Sequence, residues 1–360
     1  MTMEPMDKRD RMLGCLLGGA IGDALGAPVE FMTLGIIRRQ FGPDGVQDFE
    51  AGMWGRGVVT DDTQMMLFTL EGLIRGYLRF IDRGLADPCA VLHHAYLRWL
   101  ITQGIRPDAE LADYVTSGWL LQQEGLHARR APGNTCLSAL ISANGPGSPE
   151  NRLNDSKGCG GIMRVAPVGL LMPSAFDIGV TSAAITHTHP SGYLAAGYFA
   201  ELIRLMVREN MTLRDAAEAA IEPLLRYDES EYDETARAIH SALILADEGD
   251  PTPEKVEQLG QGWIAEEALA IGLYCALVAE DFRHGVLQAV NHGGDSDSTG
   301  MLAGNLLGLI YGTAGIPSYW RDQVEFADLI EEMVDDALLV VDYEPEGDAL
   351  RRLKDKYPPN

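Results

Sequence analysis

Positive charge is scarce in this chain: 28 lysines and arginines stand against 53 aspartates and glutamates over 360 residues, for a formal net charge of −25 and a pI near 4.6. A field of that sign repels phosphate backbones, which excludes a general binder of nucleic acid or of anionic membrane, and it concentrates cations instead. Cysteine is sparse as well. Cys15, Cys89, Cys136, Cys159 and Cys275 are scattered and odd in number, with no CxxC pair or other zinc-ligand spacing, so the chain has no disulfide framework to read and is expected to be reduced and cytoplasmic. No apolar run reaches the roughly 18 residues that a membrane span needs, and the segment before Leu13 lacks the apolar stretch of an export signal. Linkers, low-complexity tracts and tandem repeats are also missing, which predicts one domain over residues 1–360.

Hydrophobic residues make up 46% of the chain, enough for a large core. They recur at intervals of three and four, as in Met65-Met66-Leu67-Leu70-Leu73-Ile74 and Ile264-Ala268-Ile271-Leu273-Leu277, whereas sustained β-branched alternation does not occur. The period is that of helices. Helix punctuation agrees at Asp10, at Pro190, at Thr212 and at Thr252-Pro253. The expectation is an all-α protein of about a dozen helices.

Two rows of glycine stand out within that pattern. Gly14, Gly18, Gly22 and Gly26 fall four apart, and so do Gly300, Gly304, Gly308 and Gly312. Each glycine costs roughly 1 kcal/mol against alanine inside a helix, so such rows are expensive unless close backbone approach recovers the loss. They predict two helices crossing at close range in the core. Asp23 and Asn305 interrupt the segments, which argues against the membrane version of this spacing. An antiparallel pairing would bring Glu30, just past the first row, beside Asp295 and Asp297, just ahead of the second.

Two carboxylate clusters sit near opposite ends of the chain, Thr60-Asp61-Asp62-Thr63 and Gly293-Gly294-Asp295-Ser296-Asp297-Ser298-Thr299, and each opens a helix-periodic segment. A single Asp at either place would be read as an N-cap. Four crowded carboxylates repel one another unless a cation neutralises them, and an all-oxygen set of Asp, Ser and Thr suits Mg²⁺, Mn²⁺ or Ca²⁺ better than zinc. The pattern predicts one divalent-metal site built from both clusters, with two surface caps as the alternative.

Asp295-Ser296-Asp297-Ser298-Thr299-Gly300 fits the opening of an EF-hand loop, but its twelfth position is Leu306 where glutamate is required. The same string occurs in haloacid dehalogenase-type phosphatases, whose fold needs an apolar strand before it and a doubly wound α/β domain. Lys157-Gly158-Cys159-Gly160-Gly161-Ile162-Met163-Arg164 combines flexible glycines with flanking cations; its backbone amides suit a phosphate or diphosphate, although it is no Walker A loop. His187-Thr188-His189-Pro190 belongs to a loop, because the residue before proline is pushed out of the helical region. A zinc pair there lacks a third ligand, so His187 is expected to line a polar pocket, and His93-His94 to be structural.

Taken in order, Gly18-Gly19-Ala20-Ile21-Gly22-Asp23-Ala24-Leu25-Gly26 with Glu30, Thr60-Asp61-Asp62-Thr63, the Gly158 to Arg164 loop, Thr186-His187 and Gly293-Gly294-Asp295-Ser296-Asp297-Ser298 resemble the ADP-ribosylglycohydrolase family of the dinitrogenase reductase-activating type, over roughly Met12 to Gly312. The resemblance implies an all-α fold holding two Mg²⁺ or Mn²⁺ ions. By motif position the metal ligands would be Thr60, Asp61, Asp62, Asp295, Asp297 and Ser298, where Ser298 stands in a place many members fill with threonine. It further implies hydrolysis of the bond between the distal ribose C1″ of ADP-ribose and a modified side chain, often arginine, with Asp62 or Glu30 as general base. Gly158, Cys159, Gly160 and Gly161 would hold the diphosphate, and His187 would line the pocket. The partners so implied are an ADP-ribosylated protein or ADP-ribose. Alternatives are an immunity protein that neutralises an ADP-ribosylating toxin by hydrolysis or occlusion, and a non-catalytic, crystallin-like relative.

Overall fold

Two helices, Lys8–Gly26 and Ser296–Gly315, run antiparallel through the middle of the computed structural model, which describes residues 7–359 apart from 109, 114, 143, 250 and 344. They carry the two glycine rows, and the rows face each other. A Cβ added to Gly22 would lie 1.9 Å from the Gly300 carbonyl oxygen, one on Gly18 2.3 Å from that of Gly304, and one on Gly14 2.4 Å from that of Gly308. No side chain fits there. The entropy that glycine costs a helix is offset by backbone packed directly on backbone over several turns. Because the pairing is antiparallel, which the spacing alone does not fix, the end of the first helix meets the start of the last.

Around this pair stand Asp61–Arg83, Ala265–Leu277, Phe282–Val290 and Ala327–Asp342, and beyond them Pro88–Thr102, Ala175–Ala184, Pro190–Arg208 and Glu229–Asp247. Their apolar faces close one contiguous core. The starts are set locally: Thr60, His189, Thr212 and Thr252 each accept a backbone N–H of the following turn, and Pro190 and Pro253 occupy first-turn positions. Asp10 is not the cap that the sequence suggests. The first helix already begins at Lys8, and the Asp10 carboxylate reaches across to accept from the Thr313 amide and hydroxyl.

Among the described residues there are seventeen α-helices and no strand, only an isolated bridge between Gly158 and Ile264. The all-α reading holds. A dozen helices was too few because segments such as Pro253–Val256 and Ser318–Arg321 are single turns, too short to show a period. The phosphatase alternative fails: Asp297 lies in the first turn of a helix and the doubly wound sheet is absent among the described residues. Nor is any described helix long and apolar enough to cross a membrane.

Candidate metal centre and substrate pocket

Asp23, wholly buried in the first helix, joins the first carboxylate cluster to the centre of the fold. Its carboxylate accepts from the Thr60 amide at 3.0 Å, the Thr63 amide at 3.1 Å and the Thr63 hydroxyl at 2.6 Å. Charge-assisted hydrogen bonds of this kind hold a helix start firmly, and here they fix the start of Asp61–Arg83. Thr60 then caps that helix through a 3.2 Å bond to the Asp62 amide, and Asp61 accepts from the Gly133 amide at 3.3 Å.

The second cluster arrives on the N-terminal turn of Ser296–Gly315. Ser298 donates to Asp62 Oδ2 at 2.7 Å, and the Ser298 amide donates to Asp297 at 3.1 Å. Carboxylate oxygens of Glu30, Asp295 and Asp297 all lie within 4.8 Å of one another. Glu30 therefore joins the group through the antiparallel crossing. The Phe31 amide donates to the Gly294 carbonyl at 3.3 Å and pins that corner.

Crowding governs the electrostatics. Burial, followed by the charges of Asp297 and Asp295, pushes Glu30 up to about 10, and burial with Asp297 pushes Asp23 up to about 7. Asp61, Asp62 and Asp295 are raised well above the ordinary carboxylate range by burial first and Asp297 second, and burial raises Asp297 itself. Buried like charges without an internal cation call for an external one. The donors are carboxylates and hydroxyls on two rigid helix starts, which fits hard divalent cations such as Mg²⁺ and Mn²⁺. One feature departs from the all-oxygen set read in the sequence: the Cys159 thiol donates to Asp295 Oδ2 at 2.8 Å, with Ser298 Oγ 3.4 Å from its sulfur.

These groups line a cavity of about 590 Å³, a size usual for small-molecule sites. Glu30, Asp61, Asp62, Asp295, Asp297, Ser298, Gly158, Cys159, Gly160 and His187 face it. Thr60 and Gly161 do not: Thr60 stands behind the cluster as the cap, and Gly161 is packed on Ala183. His187 is buried with its Nδ1 2.9 Å from the Thr186 hydroxyl, and burial, with Arg164 nearby, lowers it to about 3, so the ring is neutral. A Cβ on Gly160 would come within 2.9 Å of both Cys136 Sγ and His187 Cε1.

The flanking cations are placed otherwise than the sequence suggests. Lys157 pairs with Glu234 at 2.7 Å and Glu266 at 2.6 Å. Arg164 is buried, donates to the Ser182 carbonyl and the Thr186 hydroxyl, and stacks over Tyr96 at 4.0 Å. Both brace the loop from behind. The cation that lines the cavity is Arg129, beside Pro132, Gly133, Asn134 and Thr135. The sequence carries no signal for Arg129, Phe31 or Trp263 as lining residues; Asp23 stands out in it as an ionisable residue within a glycine row of an apolar helix.

Comparison with known proteins agrees with this geometry. The ADP-ribosylglycohydrolase family profile matches residues 4–347. The ADP-ribosyl-[dinitrogen reductase] glycohydrolase of Rhodospirillum rubrum is 28% identical, over 88% of this chain and 90% of its own. The ADP-ribosylarginine hydrolase Tri1 of Pseudomonas putida GB-1 is 23% identical, over 98% of this chain and 83% of its own. Among solved structures, an ADP-ribosylglycohydrolase-related protein superposes with a TM-score of 0.62 at 25% identity, covering 93% of this chain and 99% of that one.

Proposed function

The chain belongs to the ADP-ribosylglycohydrolase family, and from that membership we propose that it removes ADP-ribose from arginine side chains of a modified protein, at the cavity where its two carboxylate clusters meet. The observation that carries this reading is the convergence of Glu30, Asp295 and Asp297 within 4.8 Å in a cavity that also holds Asp61, Asp62 and the Gly158 to Gly161 loop. The arginine linkage is supported by the Pseudomonas putida relative, named an ADP-ribosylarginine hydrolase, and by a pocket whose acidity attracts a cationic side chain. We take residues 1–360 as one functional unit, and its five free cysteines suit a cytoplasmic setting.

Two Mg²⁺ or Mn²⁺ ions held by Asp61, Asp62, Asp295, Asp297 and Ser298, the cavity-facing members of the expected set, would supply Lewis acidity and a water acidified towards neutral pH. The protein's own groups do the rest. Asp62 or Glu30, both facing the cavity, accepts the proton of the attacking water. In the glycine loop, the Cys159 amide is taken by the Trp263 carbonyl and that of Gly158 by Ser156 Oγ, so the cavity-lining Gly160 is the glycine whose amide would meet a diphosphate. Arg129 brings the one positive charge among the lining residues. Neutral His187 offers its ring to ribose or phosphate without adding charge.

Incubation with arginine-linked and serine-linked ADP-ribosyl peptides in Mg²⁺ tests the reading. Release of ADP-ribose from the arginine peptide is expected; release from the serine peptide alone would overturn the linkage.

A further inference from the structure

Phe31 is exposed where burial would be expected, and its backbone is held where glycine would be expected. It is 72% accessible and has φ of +68°, the left-handed region that side chains other than Gly, Asn and Asp rarely adopt. The turn after the first helix imposes this, since the Glu30 amide is bonded to the Gly26 carbonyl and that of Phe31 to the Gly294 carbonyl. A glycine would satisfy the turn without the steric conflict. An exposed phenylalanine also recovers little from the hydrophobic effect. Its ring is nevertheless ordered by a partner: it stacks on Trp263, with centroids 5.0 Å apart and planes 23° from parallel. Trp263 in turn is tied to the glycine loop by the bond from the Cys159 amide to its carbonyl. Both rings line the cavity that holds the carboxylates.

We propose that Phe31 is a specificity-determining residue, whose outer face stacks on the planar guanidinium of the arginine that leaves from C1″; this rests on the arginine-linked reading above. One face of the ring is covered by Trp263, which leaves the other for a flat ligand. The carboxylates that share this cavity with Phe31, Glu30 among them, offer acceptors to the N–H groups of a guanidinium, while the aromatic face attracts its charge. The anionic half of the substrate has its own partners on other elements, Arg129 and the Gly160 amide. A planar cation, with a carboxylate at its edge and an aromatic face beneath it, is the occupant that this corner fits. An adenine would stack equally well, yet an acidic corner offers it no charge complement.

The test measures kcat and KM for an arginine-linked ADP-ribosyl peptide, and the Kd of ADP-ribose by calorimetry, in the wild type, Phe31→Leu and Phe31→Tyr. Leucine keeps apolar bulk without an aromatic face, and tyrosine keeps the face. The expected result is a KM raised about tenfold in Phe31→Leu, an unchanged ADP-ribose Kd, and near-normal KM in Phe31→Tyr. An unchanged KM in Phe31→Leu would overturn the proposal, and so would a weakened ADP-ribose Kd, which would put the adenine on the ring. A wild type that releases ADP-ribose from none of the linked peptides overturns the functional reading itself, and this inference with it; a wild type active on arginine with an indifferent Phe31→Leu removes the inference alone.

Discussion

Ser298 donates its hydroxyl to Asp62 across 236 positions of sequence at 2.7 Å. This bond joins the two helix starts that bear the carboxylates, two residues before the Gly300 carbonyl that packs against Gly22. Ser298→Ala removes both the bond and one oxygen donor of the proposed metal set. ADP-ribose release should fall at least tenfold, about 1.4 kcal/mol in the transition state, while Ser298→Thr, which keeps the oxygen, should stay within a few-fold of wild type. Equal rates for the alanine and threonine variants would remove Ser298 from the site.

Asp61→Ala and Asp297→Ala should each lower activity far more than tenfold, because neither cluster alone supplies enough oxygens for two six-coordinate ions. The same variants should leave the helical circular dichroism unchanged. Without added metal, Asp297→Ala should even melt higher than wild type, since Asp297 is the charge that most raises Asp61, Asp62 and Asp295 after burial. A variant keeping more than about a tenth of wild-type activity would refute the shared site.

The glycine rows carry a stability prediction. Gly22→Ala would place a methyl group 1.9 Å from the Gly300 carbonyl oxygen, and no rotamer change relieves a clash with backbone. Denaturant unfolding should show a loss of ~3 kcal/mol, against little change for Gly35→Ala, which meets nothing within 4 Å. Similar midpoints for the two variants would mean that the helices do not cross where the structure places them.

Much of this was legible in the sequence because spacing alone encodes it. Glycines every fourth residue mark one helix face, and two such rows in one chain imply a close crossing; aspartates stacked at two helix starts imply repulsion that something must relieve. Burial and long-range partners are not encoded that way. Lys157 and Arg164 look like phosphate ligands beside a glycine loop, yet Glu234, Glu266 and Tyr96, from distant helices, take them. Cys159 enters the carboxylate cluster only because the segment around Trp263 and Ile264 holds its loop there. The Phe31 and Trp263 stack depends on a turn conformation that the residue type disfavours, so sequence preference points away from it.

Gly158 is a loop glycine at which a small side chain fits. A Cβ on Gly158 would sit 3.5 Å from His187 Nε2 and Ser156 Oγ, an ordinary contact, so Gly158→Ala should fold and melt normally. Its ADP-ribose affinity should nonetheless weaken severalfold, because a methyl group would stand where backbone must approach the diphosphate. An unchanged Kd by calorimetry would move the diphosphate away from this loop.

If the joined carboxylate clusters form a divalent-metal site that hydrolyses arginine-linked ADP-ribose, activity must follow the metal. The most direct test is the time course of ADP-ribose release from an arginine-linked peptide by the wild-type chain, first stripped with chelator and then given excess Mg²⁺ or Mn²⁺. The expected outcome is no release above background in chelator and recovery on adding either ion; release in chelator at the metal-replete rate, or none under any condition, would rule out a metal-dependent hydrolase at this site.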